Sequence, residues 1–139
     1  MEAICLDKQP HILLAEDDSE LRELLNFTLT RAGYLVTCCD NGLALLEHLL
    51  QPQGFDLVIS DLRMPALSGI EVLERLQGKQ LPPVICMTAF GAPLLHAHAK
   101  SLGATATIDK PFDLDELIEL VQTTRLPNND QTTSSGVDS

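Results

Sequence analysis

The stretch Phe55-Asp56-Leu57-Val58-Ile59-Ser60-Asp61-Leu62-Arg63-Met64-Pro65 decides the fold. Leu57-Val58-Ile59-Ser60 is a short apolar-leaning run, β-branched at its centre and too brief for a helix, so it reads as a buried parallel strand. The run ends abruptly on a carboxylate, Asp61. A Met-Pro pair then breaks the chain, because proline disfavours the helical region for the residue before it. In an open α/β sheet, an acid at the carboxyl end of a buried strand stands where ligands bind. Asp61 is therefore the first candidate functional residue.

Four similar strands flank this one. Ile12 to Ala15 runs straight into Glu16-Asp17-Asp18, Tyr34 to Cys39 forms the next, Val84 to Met87 ends at Thr88, and Ala104 to Asp109 ends at Lys110-Pro111. Helical patterns separate them. Ser19 reads as the cap of a first helix with Leu21, Leu24, Leu25 and Thr28 at helical spacing, closed by Gly33. Asp40 reads as the cap of a second, whose apolar face would be Leu43, Leu46, Leu49 and Leu50. Gly69 precedes a third with Ile70, Val72, Leu73 and Leu76. A weaker fourth covers about 93–102. Asp113-x-x-Glu116 resembles a capping box opening a fifth with Leu114, Leu117, Ile118 and Val121. Strands alternating with helices of this length predict an α/β fold, a doubly wound five-stranded parallel sheet with five helices on its two faces. One domain over residues 10–125 is expected, and the polar run 126–139 is expected to be a disordered tail or linker.

Composition narrows the function. At 139 residues and 45% hydrophobic, the chain has material for one compact core without metals or disulfides. Acids outnumber bases 20 to 9, and a net charge of −11 with no basic cluster argues against direct nucleic-acid binding. Cys5, Cys38, Cys39 and Cys86 lack metal-type spacing and read as buried, reduced side chains. His96 and His98, two apart, share no helix face and read as surface or partly buried, while His11 and His48 have no evident partner. No signal-peptide pattern opens the chain, and no apolar run approaches the about 20 residues a membrane span needs, so a cytoplasmic protein is expected.

The chemistry collects at the strand ends. Glu16 and Asp17 follow the first strand, Asp61 ends the third, Thr88 the fourth and Lys110 the fifth. A parallel sheet brings these ends to one edge. Three carboxylates there would raise one another's pKa values unless a cation compensates. A hard divalent ion with oxygen ligands suits them, and Mg²⁺ characteristically shares phosphate oxygens. Asp61 can then attack phosphorus as a carboxylate nucleophile, with the cation and Lys110 neutralising the equatorial oxygens. Any one of these residues alone reads as a helix cap or an ordinary turn; their placement on successive strand ends does not.

Four segments carry a resemblance to the receiver domain of two-component response regulators, in that family's order and spacing over about residues 10–125. They are Ile12-Leu13-Leu14-Ala15-Glu16-Asp17-Asp18, the opening stretch through Gly69, Met87-Thr88-Ala89, and Asp109-Lys110-Pro111-Phe112. The resemblance implies a flavodoxin-like fold with strand order 2-1-3-4-5. It implies that Asp61 accepts a phosphoryl group from a histidine kinase or phosphotransfer protein. It implies Mg²⁺ held by Glu16 (through water in some members), Asp17, Asp61 and the backbone carbonyl of Arg63, with Thr88 and Lys110 on the phosphoryl oxygens. A cis Lys110-Pro111 bond is implied as well. So are a kinase docking on the first helix and a downstream effector docking on the face formed by the fourth helix, fifth strand and fifth helix. The family often carries an aromatic residue three before the Lys. Here that position is Thr107, and Phe90, just after Thr88-Ala89, is the aromatic that could stand in for it.

Two rival functions differ at named positions. A Mg²⁺-dependent phosphatase with an aspartyl nucleophile needs a second acid two residues on, where this chain has Arg63. A pseudo-receiver, binding partners without phosphorylation, would not need the full acceptor set that is present. The expected protein is thus a phosphorylation switch, not an enzyme beyond self-catalysed phosphotransfer and autodephosphorylation.

Overall fold

The computed structural model describes residues 9–51, 54–89 and 92–125. The strands are β1 (His11–Ala15), β2 (Leu35–Cys39), β3 (Leu57–Asp61), β4 (Val84–Ala89) and β5 (Ala106–Lys110). The helices between and after them are α1 (Ser19–Arg31), α2 (Gly42–Leu50), α3 (Gly69–Arg75), α4 (Pro93–Ser101) and α5 (Leu114–Arg125). All neighbouring strands pair in parallel, in the order β2-β1-β3-β4-β5.

Alternation along the strands divides the core in two. Ile12, Leu14, Leu57, Ile59, Ile85 and Met87 point to one face, where Leu25 and Leu29 of α1 and Leu117 and Val121 of α5 cover them. Leu13, Ala15, Val58, Val84 and Cys86 point to the other, under Leu45 and Leu46 of α2, Val72 and Leu73 of α3 and Ala99 of α4. The period of two in the strands thus feeds two separate layers of helices. β3 is buried at all five positions, as its near-continuous apolar run requires of a central strand.

Several local expectations shift. Asp18, not Ser19, caps α1, its Oδ1 accepting from the N–H groups of Glu20 and Leu21. Asn41, not Asp40, caps α2 by accepting from Ala44 N–H at 2.8 Å. In each case the neighbouring residue holds the extended backbone that a cap needs. The buried face of α2 is Leu45 and Leu46, while Leu43 and Leu50 are exposed. The leucines cover an arc of about 160°, and its buried part is the side that carries Gly42, Leu45 and Leu46. α3 opens on a full capping box between Ser68 and Glu71. In α5 the Glu116 carboxylate accepts from Asp113 N–H at 3.4 Å, the return half of the expected box. β5 begins at Ala106 rather than Ala104, and β4 continues to Ala89.

Cys86 is buried, but Cys38 and Cys39 are only partly so, because β2 is an edge strand; all three are free thiols. His11 does have partners: its Nε2 lies 2.7 Å from Thr37 Oγ1 and its ring packs on Phe55, which His48 also meets edge-on. Cys5, Phe90 and the 126–139 segment lie outside the described residues.

Candidate functional site

The strand register brings the carboxyl ends together. Ala15 pairs with Ser60, placing Glu16 level with Asp61. Asp61 pairs with Met87, Thr88 with Asp109 and Ala89 with Lys110. Glu16, Asp17, Asp61, Thr88 and Lys110 therefore share one edge of the sheet.

Lys110 ties that edge. Its Nζ donates to Asp61 Oδ2 at 2.8 Å and to Glu16 Oε1 at 3.0 Å. The other Glu16 oxygen accepts from Asp18 N–H, and Asp61 Oδ1 accepts from Arg63 N–H at 3.1 Å. Glu16 is fully buried and Asp61 nearly so, at 6% exposure, whereas Asp17 is exposed. Burial pushes the Glu16 carboxyl above its usual 4.5, against the hydrogen bonds from Asp18 and Lys110 that favour its anion. Burial works to lower Lys110, but the bonds to Asp61 and Glu16 outweigh it and raise the ammonium above 10.5. The Lys110–Pro111 peptide bond is cis, as the resemblance implies.

Glu16, Asp17 and Asp61 each bring a carboxylate oxygen within 4.8 Å of the others. Lys110 supplies one positive charge against three carboxylates, so the cluster carries excess negative charge in a partly buried setting. An all-oxygen donor set of that charge fits a hard divalent cation.

The backbone around Asp61 is held from two sides. A Cβ on Gly69 would sit 2.7 Å from Asp61 O, so α3 can begin this close to the end of β3 only with glycine there. A Cβ on Gly42 would meet Leu67 O at 1.8 Å, so the 62–68 loop rests directly on the start of α2. Within that loop Ala66 takes a left-handed φ of 71°.

A cleft of about 530 Å³ opens over Asp61, Thr88 and Lys110. Leu21 and Leu24 of α1, Ala92 just before α4 and Leu95 within it, and Phe112 and Leu114 give it apolar walls. Leu24 and Phe27 are exposed on α1, so the outward side of that helix is more apolar than its charged sequence suggests.

His96 is the site residue that the sequence concealed. Its Nε2 lies 2.6 Å from Asp109 Oδ1 and 2.7 Å from Thr88 Oγ1, and its Nδ1 lies 2.7 Å from Thr107 Oγ1. Thr88 Oγ1 also donates to Asp109 Oδ1 at 3.1 Å. Two residues from His98 and off any shared helix face, His96 reads from sequence as a surface or partly buried side chain. The available signal was its spacing from buried Ala99, three residues on, which puts His96 on the inward side of α4.

The comparisons agree with this geometry. Residues 12–122 match the model of the response regulator receiver domain, and the chain belongs to that family. It is 41% identical over 113 residues to the transcriptional regulatory protein FixJ of Bradyrhizobium diazoefficiens, covering 81% of this chain and 55% of the relative. It is 35% identical to the response regulator receiver protein CpdR of Brucella abortus, covering 80% and 92% respectively. Among solved structures, the chemotaxis response regulator CheY4 of Vibrio cholerae superposes with a TM-score of 0.77 at 28% identity, covering 84% of this chain and 99% of that one. Full-length FixJ from B. japonicum gives 0.80 at 36% identity, covering 94% and 64%. The chain spans about half the length of the first curated relatives it matches, 55%, 41% and 47%.

Proposed function

We propose that this chain is a phosphorylation switch whose acceptor is Asp61, loaded by a histidine kinase or phosphotransfer protein. The observation that carries the reading is Lys110 bridging Asp61 and Glu16 beside the three-carboxylate cluster, in a chain of the receiver family. In the transfer an Asp61 carboxylate oxygen bonds to phosphorus as the P–N bond of the donor's phosphohistidine breaks. The imidazole leaves with a proton, and Asp61 becomes an acyl phosphate. Lys110 carries three N–H donors and spends two on carboxylates here, leaving one for a phosphoryl oxygen. Thr88, on the next strand and lining the same cleft, offers a hydroxyl to another. Glu16, Asp17, Asp61 and the Arg63 carbonyl would hold Mg²⁺, which when bound neutralises charge on the transferring group.

The apolar walls of the cleft suit docking of a donor's helices, and the face of α4, β5 and α5 would serve an effector protein. We place its action in the cytoplasm; no helix among the described residues is long and apolar enough to cross a membrane. The acidic chain itself is not the nucleic-acid contact. Its chemistry would be self-catalysed phosphotransfer and autodephosphorylation without turnover of a substrate. Incubation with Mg²⁺ and acetyl phosphate is expected to add the mass of one phosphoryl group, lost in Asp61→Ala. No gain in the wild type would favour the pseudo-receiver reading, and continuous phosphate release would favour the phosphatase.

A further inference from the structure

We propose that His96 is a positioning residue that, with Asp109, latches Thr88 in the resting state and sets how readily Asp61 is phosphorylated. This rests on the acceptor role of Asp61. The hydrogen-bond pattern supports the latch. An ionised carboxylate only accepts, so His96 Nε2, 2.6 Å from Asp109 Oδ1, carries a proton directed at that oxygen. Thr88 has a single hydroxyl proton, and it too is directed at Asp109 Oδ1. It is therefore committed away from the cleft, while its oxygen sits 2.7 Å from the same Nε2. To donate to a phosphoryl oxygen on Asp61, Thr88 must release Asp109.

His96 keeps Asp109 in place to hold it. The Asp109 side chain is 39% exposed and has water as an alternative partner; the imidazole fixes it over Thr88. His96 is itself anchored on the far side, where Nδ1 meets Thr107 Oγ1 on β5. Through one imidazole, α4 is thus tied to β4 and β5 at the level of the acceptor. When Thr88 turns to the phosphoryl group, one of these ties opens and α4 is freed at that point.

The test compares wild type, His96→Leu, His96→Gln and Asp109→Ala for phosphorylation by acetyl phosphate with Mg²⁺, followed by intact mass. The Thr88 methyl signal is read by NMR before and after. His96→Leu and Asp109→Ala are expected to be phosphorylated about tenfold faster than wild type, the equivalent of one hydrogen bond to a charged group at its lower limit. Their unphosphorylated Thr88 methyl signals should move toward the phosphorylated wild-type position. His96→Gln, whose amide can still donate to Asp109, should lie within about twofold of wild type. If wild type is phosphorylated and His96→Leu is not faster, or if the Thr88 signal stays put, or if Gln behaves as Leu does, the latch is overturned. Asp109→Ala decides the matter alone if His96→Leu does not fold. Failure of wild type to take up a phosphoryl group would instead overturn the acceptor reading, and the latch with it.

Discussion

At the scale of single residues, Lys110 is the cation that makes two buried carboxylates tolerable. Replacing it with Met leaves Glu16, fully buried, facing Asp61 without a positive partner. Removing one member of a buried ion pair costs about 3–5 kcal/mol, and the 27% exposure of Lys110 argues for the low end or below. The pH dependence follows from the direction of Glu16's shift. Its folded pKa is raised above 4.5, so stability is greatest with the carboxyl protonated and is lost as pH rises through the folded pKa. Without Lys110 that pKa rises further. The melting deficit of Lys110→Met relative to wild type should therefore be larger at pH 8 than at pH 5, read by thermal denaturation at both pH values. Mg²⁺ should raise the melting temperature of wild type by binding the folded state only, and Glu16→Gln should lose most of that gain. The cysteines supply an independent check. Burial pushes the Cys86 thiol up to about 12, so it stays neutral and shielded when a free thiol would ionise. With a thiol reagent at pH 8, Cys86 should be protected until the protein unfolds. From pH 9 upward its buried thiol should cost stability progressively, because the unfolded chain ionises first.

At the scale of elements, the fold was legible because each strand is a short apolar block and each helix is punctuated by Gly, Pro or an acid. The ends of the blocks also named the residues that share one sheet edge, since a parallel sheet needs no further information to bring strand ends together. Which edge of the leucine face of α2 is buried was not legible. The leucines span about 160° of the helix, and Gly42 against Leu67 lies at the buried edge, a close approach between segments that no periodicity encodes. The role of His96 was hidden for a related reason: its partners lie on two strands, and only the register of β4 with β5 brings Thr88 and Asp109 side by side. Gly42→Ala tests the first point. A methyl at 1.8 Å from Leu67 O forces the 62–68 loop away from α2, which should cost about 1–3 kcal/mol in denaturant unfolding. Because that loop begins immediately beyond Asp61 and contains Arg63, Mg²⁺ affinity should fall with it, whereas an Ala substitution at exposed Leu50 should change neither.

At the scale of the whole molecule, the question is how far one phosphoryl group can move a two-state equilibrium. Charge-assisted hydrogen bonds contribute about 1.5–3 kcal/mol each, so new bonds from Thr88 and Lys110 would supply at most about 3–6 kcal/mol. A shift from 1:99 to 99:1 requires about 5.5 kcal/mol of differential interaction. The resting structure lowers the supply further. Thr88 gives up a bond to a carboxylate, Asp109, in order to bond the phosphoryl group, so it exchanges one charge-assisted partner for another. Lys110 already serves Asp61 and Glu16, and its gain is limited to the donor it has left. The net bias therefore falls short of a complete switch. An active-like minority should be visible before phosphorylation and a resting-like minority after it. Relaxation-dispersion NMR should detect exchange at Thr88 and at the His96 end of α4 in both forms. In phosphorylated His96→Leu the resting minority should shrink, since one of the interactions that favours it is gone. Exchange absent from both forms of the wild type would mean that the two arrangements are separated by more free energy than these contacts can supply, and the coupling would then have to lie elsewhere in the core.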